Sequence, residues 1–306
     1  MADVDRIRRV GVAGTGVMGT GIAQVLAQHG FTVVLVGRDR TCASQAHRRI
    51  EATVRRLADE GKVAPAGVDE LVARIRSEDG LEGLRDVDLV IEAVPEVVDL
   101  KRRVFSELDR RLPSHAVLAS NTSTIPITLL AAATSRPSQV LGMHFFNPAP
   151  VIEGVELVRG RQTSDETLAL GRAFIERLGK KPVVAQDYAG FITSRLINLY
   201  LNEAARSVMD GNSPPDVDAA MVHCLRMPMG PCALMDLVGI DVVLACLETL
   251  HQEFGERFQP APLLRQMVRA RHLGRKTGQG FYSHECPSPT SGAGALGRPS
   301  EPVETR

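Results

Sequence analysis

The 306-residue sequence predicts an α/β protein in two parts, a mostly parallel sheet covered by helices and then a smaller all-helical domain. Two observations carry this expectation. Through the first 185 residues or so, short runs rich in β-branched residues alternate with amphipathic helical stretches, the rhythm of βαβ units. After about residue 188 the strand rhythm stops and only helical patterns continue. The length agrees, because a chain of this size exceeds what one hydrophobic core usually serves.

The strand candidates are Val10 to Ala13, Phe31 to Val36, Val87 to Ala93, Ala116 to Ala119 and Val140 to Phe145. Helical stretches at 17–29, 40–60 and 97–111 lie between them. Apolar runs at 155–158 and 182–185 flank a further helical stretch, 165–178, and extend the sheet. Helices are then expected at 191–210, 215–224, 232–254 and 260–272, broken by Gly211, Pro214, Pro228, Pro231 and Pro260. Past Tyr282 the chain is rich in Pro, Gly and Ser and reads as a disordered tail. The expected organisation is therefore 1–187, 188–283 and a tail at 284–306.

Lys plus Arg and Asp plus Glu both number 36, so the formal net charge is zero. A nucleic-acid binder would more often carry a basic excess, and no nucleic-acid partner is expected. Cys42, Cys224, Cys232, Cys246 and Cys286 form no C-x-x-C pair and no zinc-spaced cluster, so they read as reduced thiols, with no metal. The start of the chain shows no apolar signal core. The most apolar later stretch, Leu234 to Leu247, contains Asp236 and Asp241, which suits a buried helix better than a membrane span. A cytoplasmic location without membrane association is the expectation.

The first strand runs into Gly14-Thr15-Gly16-Val17-Met18-Gly19, a G-x-G-x-x-G that opens a helix. The first glycine permits the tight turn, the second lets backbone approach a pyrophosphate, and the third lets helix and strand pack closely. The new helix points free N–H groups at the phosphates. This is the fingerprint of a Rossmann-type NAD or NADP domain. The second strand should end in an acid for the adenosine ribose, but it runs into Gly37-Arg38-Asp39. Either Arg38 pairs with a 2′-phosphate, which favours NADP, or it is a solvated turn residue and Asp39 reaches the ribose.

Three later segments hold polar groups at strand ends, where open α/β sheets bind ligands: Ser120-Asn121-Thr122-Ser123, His144-Phe145-Phe146-Asn147-Pro148, and Glu156 within Val155 to Val158. Oxidising an alcohol needs a base for the hydroxyl proton, and histidine titrates in the right range. A paired carboxylate fixes its tautomer and stabilises the imidazolium.

With these segments, the sequence resembles the short-chain 3-hydroxyacyl-CoA dehydrogenase family, 3-hydroxybutyryl-CoA dehydrogenases included, from about residue 7 to 282. Further shared markers are Ile91-Glu92-Ala93, Gly190-Phe191-Ile192, Pro228-Met229-Gly230-Pro231 and Gly274-Arg275-Lys276-Thr277-Gly278-Gln279-Gly280-Phe281-Tyr282. The resemblance implies hydride exchange between NAD(P) and a 3-hydroxyacyl thioester. It implies His144 as general base for oxidation and acid for reduction, with Glu156 as its partner. Ser123 and Asn147 would bond the substrate oxygen or the nicotinamide side, and Glu96, Lys101 and Lys276 would contact the cofactor. A solvated ion pair on a helix is the plainer reading of Glu96 and Lys101. Family members generally form homodimers through the helical domain.

The chain departs from the family pattern in three places. Gly37 is one. Ser194 stands near the expected substrate site where an asparagine is usual. In the CoA region Thr53 and Glu60 replace a serine and a lysine, and Glu153 replaces a lysine, although Arg55, Arg56 and Lys62 lie close by. Two cations facing an anionic handle thus become anions. The acyl carrier is accordingly either CoA or a carrier protein. A free hydroxy acid, and a cofactor-binding protein without catalysis, are the competing readings.

Overall fold

The computed structural model describes residues 4–61 and 67–285. Its contacts divide the chain into two compact units, Met1–Arg195 and Leu196–Arg306. The expected tail falls outside the described residues from 286 onward, as do Lys62 and Cys286.

The first unit is an eight-stranded sheet. In chain order its strands are β1 (Arg9–Ala13), β2 (Thr32–Gly37), β3 (Ile75–Asp79), β4 (Leu89–Glu92), β5 (Val117–Ser120), β6 (Val140–Phe145), β7 (Gly154–Arg159) and β8 (Lys181–Gln186). They lie side by side as β3-β2-β1-β4-β5-β6-β7-β8. Every ladder is parallel except β6–β7, which is antiparallel. Successive side chains point to opposite faces of a strand, so a strand buried on both sides reads as one apolar run. Val33, Leu35, Leu89 and Ile91 enter one core with Ile22, Ile50 and Phe174. Val34, Val36 and Val90 enter the other with Phe105, Leu108 and Leu130. The first core is closed by α1 (Val17–Gln28), α2 (Arg40–Asp59) and α6 (Asp165–Arg177), the second by α4 (Val98–Arg111) and α5 (Ile127–Ala131). A short α3 (Val68–Ala73) precedes β3.

β3 was not expected. Of its five residues only Ile75 is buried, as suits an edge strand paired with β2 alone. Its ladder from Val33↔Ile75 to Gly37↔Asp79 supplies what its sequence lacks.

The chain divides inside the first turn of α7 (Thr193–Met209). The second unit continues with α8 (Pro214–Ala219), α9 (Pro231–Val238), α10 (Ile240–Phe254) and α11 (Pro262–Arg269). The single helix expected over 232–254 is two. Gly239 at φ 105° ends α9 and starts α10, a backbone angle that side chains of L-residues resist. The terminal segment folds back onto buried Asp236, whose carboxylate accepts the N–H groups of Phe281 and Tyr282 at 2.9 Å each. Asp218 accepts Cys232 N at 2.7 Å and the Tyr282 hydroxyl at 2.8 Å.

Among the described residues, no helix is long and apolar enough to cross a membrane, and no cluster of His, Cys, Asp and Glu could hold a metal ion.

Candidate active site

Cross-strand partners in an antiparallel ladder share a face. In β6–β7 the register sets His144 opposite Glu156, and His144 Nδ1 stands 2.7 Å from Glu156 Oε2. Both are buried, at 5% and 1% exposure. The other carboxylate oxygen accepts the N–H groups of Ile192 at 3.2 Å and Thr193 at 2.7 Å, at the start of α7. Burial works against a charge on Glu156, but the bonds from His144 and Thr193 prevail and hold its carboxyl below the usual range. An anionic Glu156 requires the proton on Nδ1 of His144, which leaves Nε2 as the acceptor. Ser123 Oγ lies 3.0 Å from that Nε2. The rings of Phe146 and Phe191 flank the imidazole, with centroids at 4.4 and 6.0 Å.

A network that reaches back to β4 sets the loop carrying Ser123. Glu96 accepts Thr122 Oγ1, Ser123 N at 3.2 Å and Thr124 N at 3.4 Å. Burial pushes the Glu96 carboxyl up, but the Lys101 charge and the Thr122 hydroxyl outweigh it and draw it below its ordinary range. Lys101 Nζ sits 2.6 Å from Glu92 and 3.2 Å from Glu96. Lys101 is 1% exposed and Glu96 precedes α4, so the pair is not a solvated pair on a helix. Glu92 also accepts Ser120 Oγ at 2.7 Å and Val94 N at 2.6 Å. Asn121 Oδ1 accepts Phe145 N at 2.8 Å, tying the end of β5 to that of β6.

The glycine loop has the shape a dinucleotide needs. A Cβ on Gly14 would stand 2.3 Å from Ala93 O, and one on Gly19 would stand 1.9 Å from Gly14 O. At Gly16 nothing lies within 4 Å, so the loop presents open backbone there. The loop is tight where turn and helix must pack and clear where phosphates would approach.

The remaining expected site residues are distributed more widely. Thr15, Val17 and Met18 belong to the glycine loop and the first turn of α1. Asn147 is exposed just past β6, joined to Pro148 by a cis peptide bond. Ser194 is 8% exposed, next to the Thr193 N–H that holds Glu156. Thr53 lies on α2, its hydroxyl turned onto Arg49 O at 2.8 Å. Glu153 is exposed and pairs with Lys181 at 2.6 Å. Lys276 stands in the second unit, ion-paired with Asp241. Asn121 and Glu92 were not expected among the site residues, although they fall within Ser120-Asn121-Thr122-Ser123 and Ile91-Glu92-Ala93, segments that carry the resemblance. Arg49, on α2, was not expected there either.

Fold and site together define a dinucleotide-binding α/β protein with a buried acid–base pair at the strand ends. Residues 9–188 match the family model of the 3-hydroxyacyl-CoA dehydrogenase NAD binding domain, and residues 190–284 match that of the C-terminal domain of the same family. The chain belongs to the 3-hydroxyacyl-CoA dehydrogenase family. It is 43% identical over 278 residues to a probable 3-hydroxybutyryl-CoA dehydrogenase of Deinococcus radiodurans, covering 90% of this chain and all of that one. It is 43% identical over 284 residues to a 3-hydroxybutyryl-CoA dehydrogenase of Mycobacterium tuberculosis, covering 92% and 99%. The crystal structure of (S)-3-hydroxybutyryl-CoA dehydrogenase from Ralstonia eutropha superposes with a TM-score of 0.88 at 40% identity, over 91% of this chain and 99% of that one.

Proposed function

We propose that this protein interconverts a 3-hydroxyacyl thioester and its 3-oxoacyl thioester with NAD(P), with 3-hydroxybutyryl-CoA as the representative substrate. The carrying observation is the His144–Glu156 pair with Ser123 on the free ring nitrogen. A bound nicotinamide supplies the hydride acceptor or donor. In oxidation the substrate O–H bond breaks toward His144 Nε2 as C3 loses hydride and the C=O bond forms. The imidazolium so made shares its Nδ1 proton with Glu156, in a pocket walled by Phe146 and Phe191. Reduction reverses each step, with His144 as acid. Ser123 donates to the reacting oxygen, and Asn147 bonds the substrate oxygen or the nicotinamide side. Gly14, Thr15, Gly16, Val17, Met18 and Gly19 hold the pyrophosphate, while Glu96 and Lys101 brace the Ser123 loop beside the cofactor. Lys276, ion-paired with Asp241, is the further cofactor contact that the resemblance implies. Ser194 and Thr53 serve the substrate.

Glu60 and Glu153 favour a second reading of the carrier, since the resemblance implies cations at these positions facing the adenosine phosphates, although Glu153 is itself paired with Lys181. A phosphopantetheine arm on a carrier protein keeps the thioester without that handle. The second unit exposes Leu196 and Leu225 at 64% each and Val238 and Val242 at 46% and 45%, which supports a homodimer through the helices. Nicotinamide absorbance with acetoacetyl-CoA tests the reaction. Turnover supports the reading, and a folded, cofactor-binding protein that turns over neither acetoacetyl-CoA nor the matched carrier-protein thioester overturns it.

A further inference from the structure

We infer that Arg49, together with Arg38, forms a 2′-phosphate site that gives the dinucleotide loop a preference for NADP. The inference rests on the reading of that loop as a dinucleotide site. Gly37 stands where the ribose-binding acid is expected. The residue is buried at the end of β2, and a Cβ there would stand 2.8 Å from Ala43 N and 3.1 Å from Asp39 O. Both atoms are backbone of the turn into α2 and its first residues, so no acid can occupy position 37 without moving the helix. The acid that would hold both ribose hydroxyls, and repel a 2′-phosphate, is thereby excluded.

The nearest carboxylate is committed elsewhere. Asp39 is the N-cap of α2, accepting Cys42 N at 2.7 Å, and its second oxygen takes Arg38 Nε at 3.0 Å. Arg38 is held at the strand end by that bond, and its two terminal NH2 groups remain for an anion.

The second cation comes from α2. Arg49 is exposed and reaches across to the glycine loop, where its NH2 group donates to Thr15 O at 2.5 Å. Ala13 pairs with Val36 and Gly14 N donates to Val36 O at 2.9 Å, so the loop and the Gly37–Arg38 turn leave adjacent strand ends. The ribose of a dinucleotide on this loop lies between them. One guanidinium is thus held at the Gly37–Arg38 turn and the other at the glycine loop, and planar forks of N–H donors match phosphate oxygens. On β3, Glu78 lies opposite Val36 and is ion-paired with Arg76, and Asp79 lies opposite Gly37.

Calorimetric titration with 2′,5′-ADP and with 5′-ADP isolates this site from the chemistry. In the unaltered protein 2′,5′-ADP binds about tenfold or more tighter, as expected for new charge-assisted bonds. Arg49→Met removes most of that difference while 5′-ADP binding changes little, and Arg38→Ala removes a further part. Equal affinities, or equal weakening of both nucleotides by Arg49→Met, overturn the inference and leave Asp39 or Asp79 as the ribose ligand and Arg49 as a brace of the loop. Turnover of acetoacetyl-CoA with NADH but no discrimination between the nucleotides would sink this inference and leave the proposed function standing. Discrimination without turnover would do the reverse.

Discussion

Replacing Glu156 by Gln probes the acid–base pair with almost no change of shape. The carboxylate accepts from three donors, His144 Nδ1, Ile192 N and Thr193 N. A glutamine amide offers one oxygen and one NH2 group. If the oxygen faces His144, the NH2 group confronts the backbone N–H groups. If the NH2 group faces His144, Nδ1 must become an acceptor and the proton moves to Nε2, where the ring can no longer take one from the substrate. Losing a charge-assisted hydrogen bond costs about 1.5–3 kcal/mol, or about 10- to 150-fold in rate. A wrongly protonated imidazole in a comparable triad costs about 10⁴-fold. We expect kcat for acetoacetyl-CoA reduction to fall about 10²- to 10⁴-fold, with KM and cofactor affinity within about threefold. Steady-state absorbance kinetics give the first two, and fluorescence titration of the cofactor the third. A kcat within about twofold of the parent would refute the role of Glu156 and, with it, the tautomer assigned to His144.

His144→Ala should abolish turnover and leave cofactor affinity nearly unchanged, because the proposed pyrophosphate site is the Gly14 to Gly19 loop. A fully active variant would remove the catalytic assignment. Lys101→Met leaves buried Glu92 without its cation and should cost about 3–5 kcal/mol in urea unfolding, most of it recovered by adding Glu92→Gln. Failure of the double variant to recover stability would show that Lys101 acts through packing alone. Glu96 and Glu156 both have carboxyls held below their ordinary value of 4.5 in the folded protein. Between the folded and unfolded values the unfolded chain binds more protons, so the stability they contribute is present above about pH 4.5 and lost as pH falls below it. Urea midpoints across that range should drop, and less steeply in Glu156→Gln. An unchanged slope would show that Glu156 is not depressed.

Much of this protein was legible in its sequence because the features concerned are local. A β-branched run bounded by turns needs no partner to be recognised, so β1, β2, β4, β5 and β6 could be marked before any fold was known. The spacing of Gly14, Gly16 and Gly19 carries its own steric logic, and the crowded Cβ positions at Gly14 and Gly19 and the open one at Gly16 match it. What remained hidden depends on residues distant in the chain. β3 exists because β2 offers it a ladder, not because its residues are apolar. Gly239 splits a continuous apolar pattern through one backbone angle, which the periodicity of its neighbours conceals. The spacing of Glu96 and Lys101 left a surface pair open beside the cofactor contact that the resemblance implies, and only the fold buries Lys101 between Glu92 and Glu96. Arg49 carries no motif and gains meaning only where α2 lays it against Thr15 O. The alternation of elements, the glycine loop and the types of residue available for chemistry are local properties of the chain. Which of those residues touch is a property of the folded chain, because hydrogen bonds act over about 3 Å and the sheet register brings residues as far apart as Glu92 and Ser120, or His144 and Glu156, within that reach.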